Sequence, residues 1–219
     1  MTSCCFRIFF CLLPVLSYSQ VVDEVLFQPG IKVSWNNNSR WSFNTSIEQR
    51  TSFDENTEAL HIQLAQFAQY EIGFYSQLGI GMMYRELFDQ ERPEELRLTE
   101  QYVFAKKYNQ FKLAHRLRWD QRLRDERTTH RWRYQLSGSI PLNGSQVDAT
   151  EYYISAHAET LFIAENQRLP AYDQRVGIAL GKQLGSSYKL QLETEYRWED
   201  FTAGTSRLLF VNLSIYASL

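Results

Sequence analysis

Between residues 111 and 123 the chain reads FKLAHRLRWDQRL, with Phe111, Leu113, Leu117, Trp119 and Leu123 on odd positions. The even positions carry Lys112, Ala114, Arg116, Arg118, Asp120 and Arg122. Wound at roughly 100° per residue, both sets scatter around a helix; at 180° they sort onto two faces, so the segment is a strand. Its 13 residues would span about 43 Å at roughly 3.3 Å each, well beyond the usual 5–6 residues of a globular strand. The alternation recurs in 41–50, 130–140, 188–199 and 206–219, and less cleanly in 24–36, 60–72, 74–86, 97–108, 150–163 and 172–184. That predicts an all-β chain of about eleven strands with no helical window. Short connections near 36–39, 71–73, 108–110 and 185–187 alternate with longer polar ones near 51–59, 87–96, 124–129, 164–171 and 200–206, with 141–149 breaking the trend.

Two architectures generate such alternation. A soluble barrel or sandwich buries its apolar face and turns its charges to water. A membrane barrel turns the apolar face to lipid and the polar face to its lumen. Strands of about 10–13 residues suit a tilted crossing, which needs roughly 9–11. Aromatics near strand ends (Trp41, Tyr84, Tyr108, Trp119, Trp132, Tyr188, Trp198) suit interfacial girdles. His115 and Gln121 interrupt the apolar face of the 111–123 strand and are tolerable only near an interface. The expectation is therefore a single closed antiparallel up-and-down transmembrane β-barrel of 10–12 strands with a polar lumen. Bacterial single-chain barrels have even strand numbers, so eleven candidates point to ten or to twelve. The soluble alternative is a periplasmic barrel that binds an apolar ligand inside.

The first residues add a destination. MTSCCFRIFFCLLPVLSYSQ has a short start with Arg7, an apolar run from Ile8 to Leu16 and the small-x-small site Ser17-Tyr18-Ser19, the layout of a cleaved signal peptide. The expected division is 1–19 signal peptide and 20–219 barrel. Cys4, Cys5 and Cys11 then all leave with the leader, so the exported chain holds no disulfide and must draw its stability from a core or a closed sheet. The formal charge of −2, with cations and acids interleaved, excludes a nucleic-acid-binding face. The expected partners are outer-membrane lipid and, during insertion, the barrel-assembly machinery; no oligomeric state is read from the sequence.

Three blocks carry a resemblance: His115–Arg118 followed by Asp120-Gln121-Arg122, Arg131–Tyr134 ending in Pro141-Leu142, and Tyr152-Tyr153 with Glu159. They resemble an uncharacterised family of small bacterial outer-membrane β-barrels, a domain of unknown function of the DUF2490 type. The resemblance covers most of the exported chain, with Asp120 standing where the family more often has Glu. It implies a fold and a location, and no activity.

Chemical motifs are sparse. His61, His115, His130 and His157 have no metal-ligand spacing and no cysteine to assist, and no phosphate-cradling glycine loop or nucleophile elbow occurs, so neither metal nor cofactor is expected. Ser155-x-His157-x-Glu159 holds the parts of an acyl-transfer site on one strand face, the weak basis for a lipid-modifying hydrolase as an alternative. Neighbours on that face sit roughly 7 Å apart, too far for direct triad contacts. The stronger expectation is a lumen network. Lys112, Arg116, Arg118, Arg122, Arg131 and Arg133 form a cationic wall with Asp120 among them, and Glu159, Glu193, Glu195 and Glu199 supply acids to pair across a narrow bore. Arg116 and Arg118 should point inward, each near an acid from another strand. The expected function is a structural barrel or narrow channel, without enzymatic activity.

Overall fold

The computed structural model describes residues 22–36, 39–53, 57–89, 93–144 and 146–219. The expected signal peptide and the three cysteines lie outside the described residues. Eleven strands follow one another: β1 (Glu24–Asn36), β2 (Trp41–Phe53), β3 (Thr57–Gly73), β4 (Ser76–Leu87), β5 (Glu95–Tyr108), β6 (Phe111–Arg124), β7 (Arg127–Pro141), β8 (Tyr152–Glu165), β9 (Ala171–Gln183), β10 (Tyr188–Glu199) and β11 (Ser206–Ser218). Each pairs antiparallel with its chain neighbour, and β1 pairs with β11 to close the barrel.

That closing pair is parallel, running from Glu24↔Leu208 to Ser34↔Ser218. Strand direction alternates around an up-and-down barrel, so an odd number brings first and last together in the same direction. The even number expected from the sequence is thereby corrected to eleven, and the barrel is antiparallel in every pair but one. Slanted parallel bonds are slightly weaker per residue than antiparallel ones, yet the closure leaves no open edge.

The expected alternation of short and long connections fails at the β6–β7 turn, while its expected exception at 141–149 is present. At the end where β1 begins, Arg124 and Arg127 are joined by the two-residue turn Asp125-Glu126, where a long loop was expected. At the other end the connection from Pro141 to Tyr152 is the longest of all. Asp125 and Asn109 each take a left-handed backbone (φ 49° and 50°), which short polar side chains tolerate best and which lets these turns stay tight.

Burial is inverted relative to a water-soluble domain. Among the described residues only five hydrophobic side chains are buried (Leu26, Ala65, Leu161, Ala179 and Phe210), against sixteen polar or charged ones. Thirty-eight large hydrophobic side chains are exposed, among them Ile80, Leu98, Leu117, Trp132, Phe162 and Ile178. The strand period of two explains the sorting: one register carries charge into the bore, the other carries apolar groups to the exterior. Aromatics gather on that exterior in two groups. Trp119, Trp132, Phe162 and Tyr172 stand in register across β6–β9, with Phe201 6.0 Å from Tyr172. Toward the opposite end lie Trp35 with Phe43 at 5.8 Å and Trp41 with Tyr70 at 5.0 Å.

Candidate functional site

The bore gathers arginine because residues of one register from successive strands face a common interior. A cavity of about 890 Å³ occupies it, lined by eleven cationic and four acidic side chains. Glu48 in that lining binds Lys32, Gln28 and Gln63, and four more carboxylates stand behind the lining: Glu95 and Asp120 are 0% exposed, Glu159 2% and Glu195 7%. Each is a hub. Glu95 accepts hydrogen bonds from Arg97, from Arg122 (Nε 3.1 Å, Nη2 2.6 Å) and from Arg124 (Nε 2.5 Å), with Arg85 at 3.9 Å. Asp120 takes the fork of Arg131 through Nε and Nη2 at 3.1 and 2.8 Å, Arg133 at 3.4 Å and the Thr99 hydroxyl at 2.8 Å. Glu159 binds Arg133 at 2.5 Å and Arg116 at 3.2 Å, with Arg175 at 3.8 Å. Glu195 holds Arg197 at 2.5 Å and His157 at 2.8 Å. Charge-assisted, forked bonds of this kind are the stronger class of hydrogen bond. Sharing one carboxylate among several guanidiniums keeps most of these charges compensated.

Aromatic and glutamine side chains seat the remaining cations. Arg50 donates Nε and Nη2 to Oε1 of Gln28 at 3.0 and 2.8 Å and lies 4.8 Å from the centre of the Phe210 ring. Arg118 donates to Oε1 of Gln101 at 2.8 Å and lies 5.1 Å from the centre of the Phe67 ring. Phe67 can lie against the wall because its neighbour on β4 is Gly81, where an added Cβ would stand 2.3 Å from the ring. Beyond β10, the Asp200 carboxylate accepts the Thr202 hydroxyl at 2.8 Å and the N–H groups of Thr202 and Ala203 at 3.3 and 3.1 Å. The Thr202 hydroxyl first, then these amides, hold its carboxyl below the usual carboxylate range.

Most residues of the expected lumen network meet here, and two expectations are corrected. Arg116 and Arg118 do line the cavity, but Arg118 has a glutamine rather than an acid as partner, because Asp120 and Glu159 are occupied by Arg131, Arg133 and Arg116. Lys112 is exposed and makes no ion pair among the described residues. Glu193 sits at the edge of the network, accepting from Gln191 at 3.0 Å and Asn212 at 3.3 Å, while Glu199 lies 3.4 Å from Arg175 and 3.9 Å from Arg197. Glu95, Arg85, Arg97, Arg124, Arg175 and Arg197 were missed. Glu95 fell just outside the expected 97–108 strand, so its facing was unread, although Arg97 shares its parity. Arg197 stood on the polar face of 188–199 and signalled its place openly.

The Ser155, His157, Glu159 constellation does not assemble: no hydrogen bond joins the three among the described residues. Glu159 is given to arginines and His157 to Glu195 on another strand. Gly177, beside His157 in the β8–β9 pairing, makes room for the imidazole, since an added Cβ would stand 2.3 Å from its Cε1. Ligand atoms of His157, Glu193 and Glu195 lie within 4.8 Å of one another, a grouping able to hold a cation. Glu195 is already engaged by Arg197 there.

Together these features define the class: a closed eleven-stranded β-barrel with a charged, arginine-rich bore and an apolar exterior. Within that class the chain belongs to the DUF2490 family, proteins of unknown function, whose model matches residues 27–208. The match runs from β1 into β11 and so takes in almost the whole barrel. A search of curated proteins finds no match to the chain.

Proposed function

We propose that the protein is an outer-membrane β-barrel whose bore is a narrow, water-filled and structurally networked channel, without enzymatic activity. The observation that carries this is the inverted burial: thirty-eight large hydrophobic side chains exposed and sixteen polar or charged ones buried among the described residues. Exposed apolar surface on that scale, covering a closed sheet on every side, needs a non-aqueous surrounding. Strands of 12–17 residues are long enough to cross it obliquely. The two exterior aromatic groups suit its two interfaces, and the leader-like first residues suit export. In this reading outer-membrane lipid surrounds the barrel and the barrel-assembly machinery inserts it.

Two measurements test the proposal. After expression with its leader, the chain should fractionate with outer membranes and migrate differently on a gel before and after boiling. Recovery as a freely soluble protein would overturn the membrane placement. In a planar bilayer, purified barrel should give small discrete currents; silence at every voltage would remove the channel and leave a structural barrel.

A further inference from the structure

Arginines in the bore outnumber the acids available to them, and the excess is concentrated. The eleven cationic side chains lining the cavity face four acidic ones; the four hub carboxylates behind them raise the acids only to eight. Three arginine pairs of the cavity lining stand directly opposite one another across strands: Arg97↔Arg122, Arg118↔Arg133 and Arg175↔Arg197. Like charges so placed destabilise a sheet unless a counter-charge lies between them. Among the described residues Arg50 has no carboxylate partner; its bonds go to Gln28 and its face to Phe210. The charges around it are the guanidiniums of Arg197, Arg85 and Arg175 and the carboxylates of Glu199 and Glu48. Arg197 lies over the same Phe210 ring, at 3.4 Å. Four guanidiniums from β2, β4, β9 and β10 therefore share one region of the bore, where Glu199 lies by Arg175 and Arg197, Arg85 lies 3.9 Å from Glu95, and Arg50 alone of the four has no carboxylate within ion-pair distance among the described residues.

We propose that this region binds a phosphate group, seated on the open N–H groups of Arg50 and compensated by Arg85, Arg175 and Arg197. Gln28 occupies one edge of the Arg50 guanidinium, and its remaining N–H groups have no hydrogen-bond acceptor among the described residues. Guanidinium forks match the oxygens of a tetrahedral oxyanion in a way a point charge does not. Chloride would compensate charge without using those forks, so discrimination between the two anions is the signature. The cavity of about 890 Å³ admits a small phosphorylated solute as readily as free phosphate. The site deepens the channel reading but does not depend on conduction.

The test uses the refolded full-length barrel in detergent micelles with inorganic phosphate as the probe, sodium chloride holding ionic strength constant. Phosphate should raise the melting temperature saturably. Arg50→Gln, which keeps a donor and removes the fork, should raise the half-saturating phosphate concentration at least tenfold, and Lys112→Gln, outside the cavity, should leave it unchanged. Should Arg50→Gln fail to fold, Arg50→Lys retains the charge without the fork and should weaken binding as well. Adding glycerol phosphate separates the sources: tighter binding than inorganic phosphate indicates an organic phosphate, equal or weaker binding the free ion. Phosphate acting no differently from chloride, or an Arg50 variant binding like wild type, would overturn the inference. A conducting barrel blind to phosphate removes this inference alone, and a silent barrel that binds phosphate removes only the channel.

Discussion

Glu100 stands on the exterior register of β5, opposite Ile80 on β4 and Trp119 on β6, exposed and without an ion pair among the described residues. In the membrane reading this carboxylate faces the acyl chains or their boundary, where a charge has neither water nor partner. Glu100→Leu should therefore stabilise the barrel in lipid by on the order of 1 kcal/mol, below the 2–4 kcal/mol range of a midplane Arg or Lys. Reversible urea unfolding in vesicles measures it, and a loss of stability would place Glu100 against protein or water instead. Asp120 is the opposite case. Fully buried between Arg131, Arg133 and Thr99, it leaves the buried Arg131 without a carboxylate partner among the described residues when neutralised, while Arg133 keeps Glu159. Asp120→Asn should cost roughly 3 kcal/mol in the same assay, the penalty of breaking a buried pair from one side.

At the scale of elements, the strands were legible because their two faces meet opposite surroundings, which enforces a strict alternation over 12 residues or more. The expected 24–36 coincides with β1, and 188–199 with β10. The strand count was read correctly and then distrusted, because alternation reports which way a side chain faces and says nothing of the direction of the partner strand. The parallel β1–β11 closure lies in the pairing of Leu26 with Phe210 and their neighbours, over 180 residues apart in sequence. Loop lengths misled for a related reason: the strand character of Arg127–His130 is interleaved with charge, so the two-residue turn at Asp125 was taken for a longer loop. Glycine on the lumen register is a further element-scale feature. Gly177→Ala would place a methyl group against the His157 ring, forcing the imidazole from Gly177 and from Glu195. Overpacking of this kind costs about 1–3 kcal/mol. Urea unfolding of Gly177→Ala beside His157→Ala should show the glycine variant losing less in the His157→Ala background, where the ring is absent; equal losses in both backgrounds would refute the steric account.

Across the whole molecule, the sequence placed the cationic wall of Arg116, Arg118, Arg131 and Arg133 in the bore but overestimated how evenly acids would answer it. Which carboxylate serves which cation depends on the curvature that brings Arg116 on β6 within reach of Glu159 on β8, and His157 on β8 within reach of Glu195 on β10, and a strand pattern does not encode curvature. The result is a bore lined by eleven cationic side chains against four acidic ones, with the four hub carboxylates set behind them. Such a lining concentrates anions and repels cations, strongly where the Debye length exceeds the bore and weakly in concentrated salt. In a planar bilayer with a tenfold potassium chloride gradient, the reversal potential should therefore report preference for chloride, and the preference should shrink as both sides approach 1 M. Arg118→Glu, which reverses a lining charge that has no carboxylate partner among the described residues, should move the reversal potential toward cation preference without loss of current. A cation-preferring wild type would mean that the hub carboxylates, not the arginines in front of them, set the field in the bore.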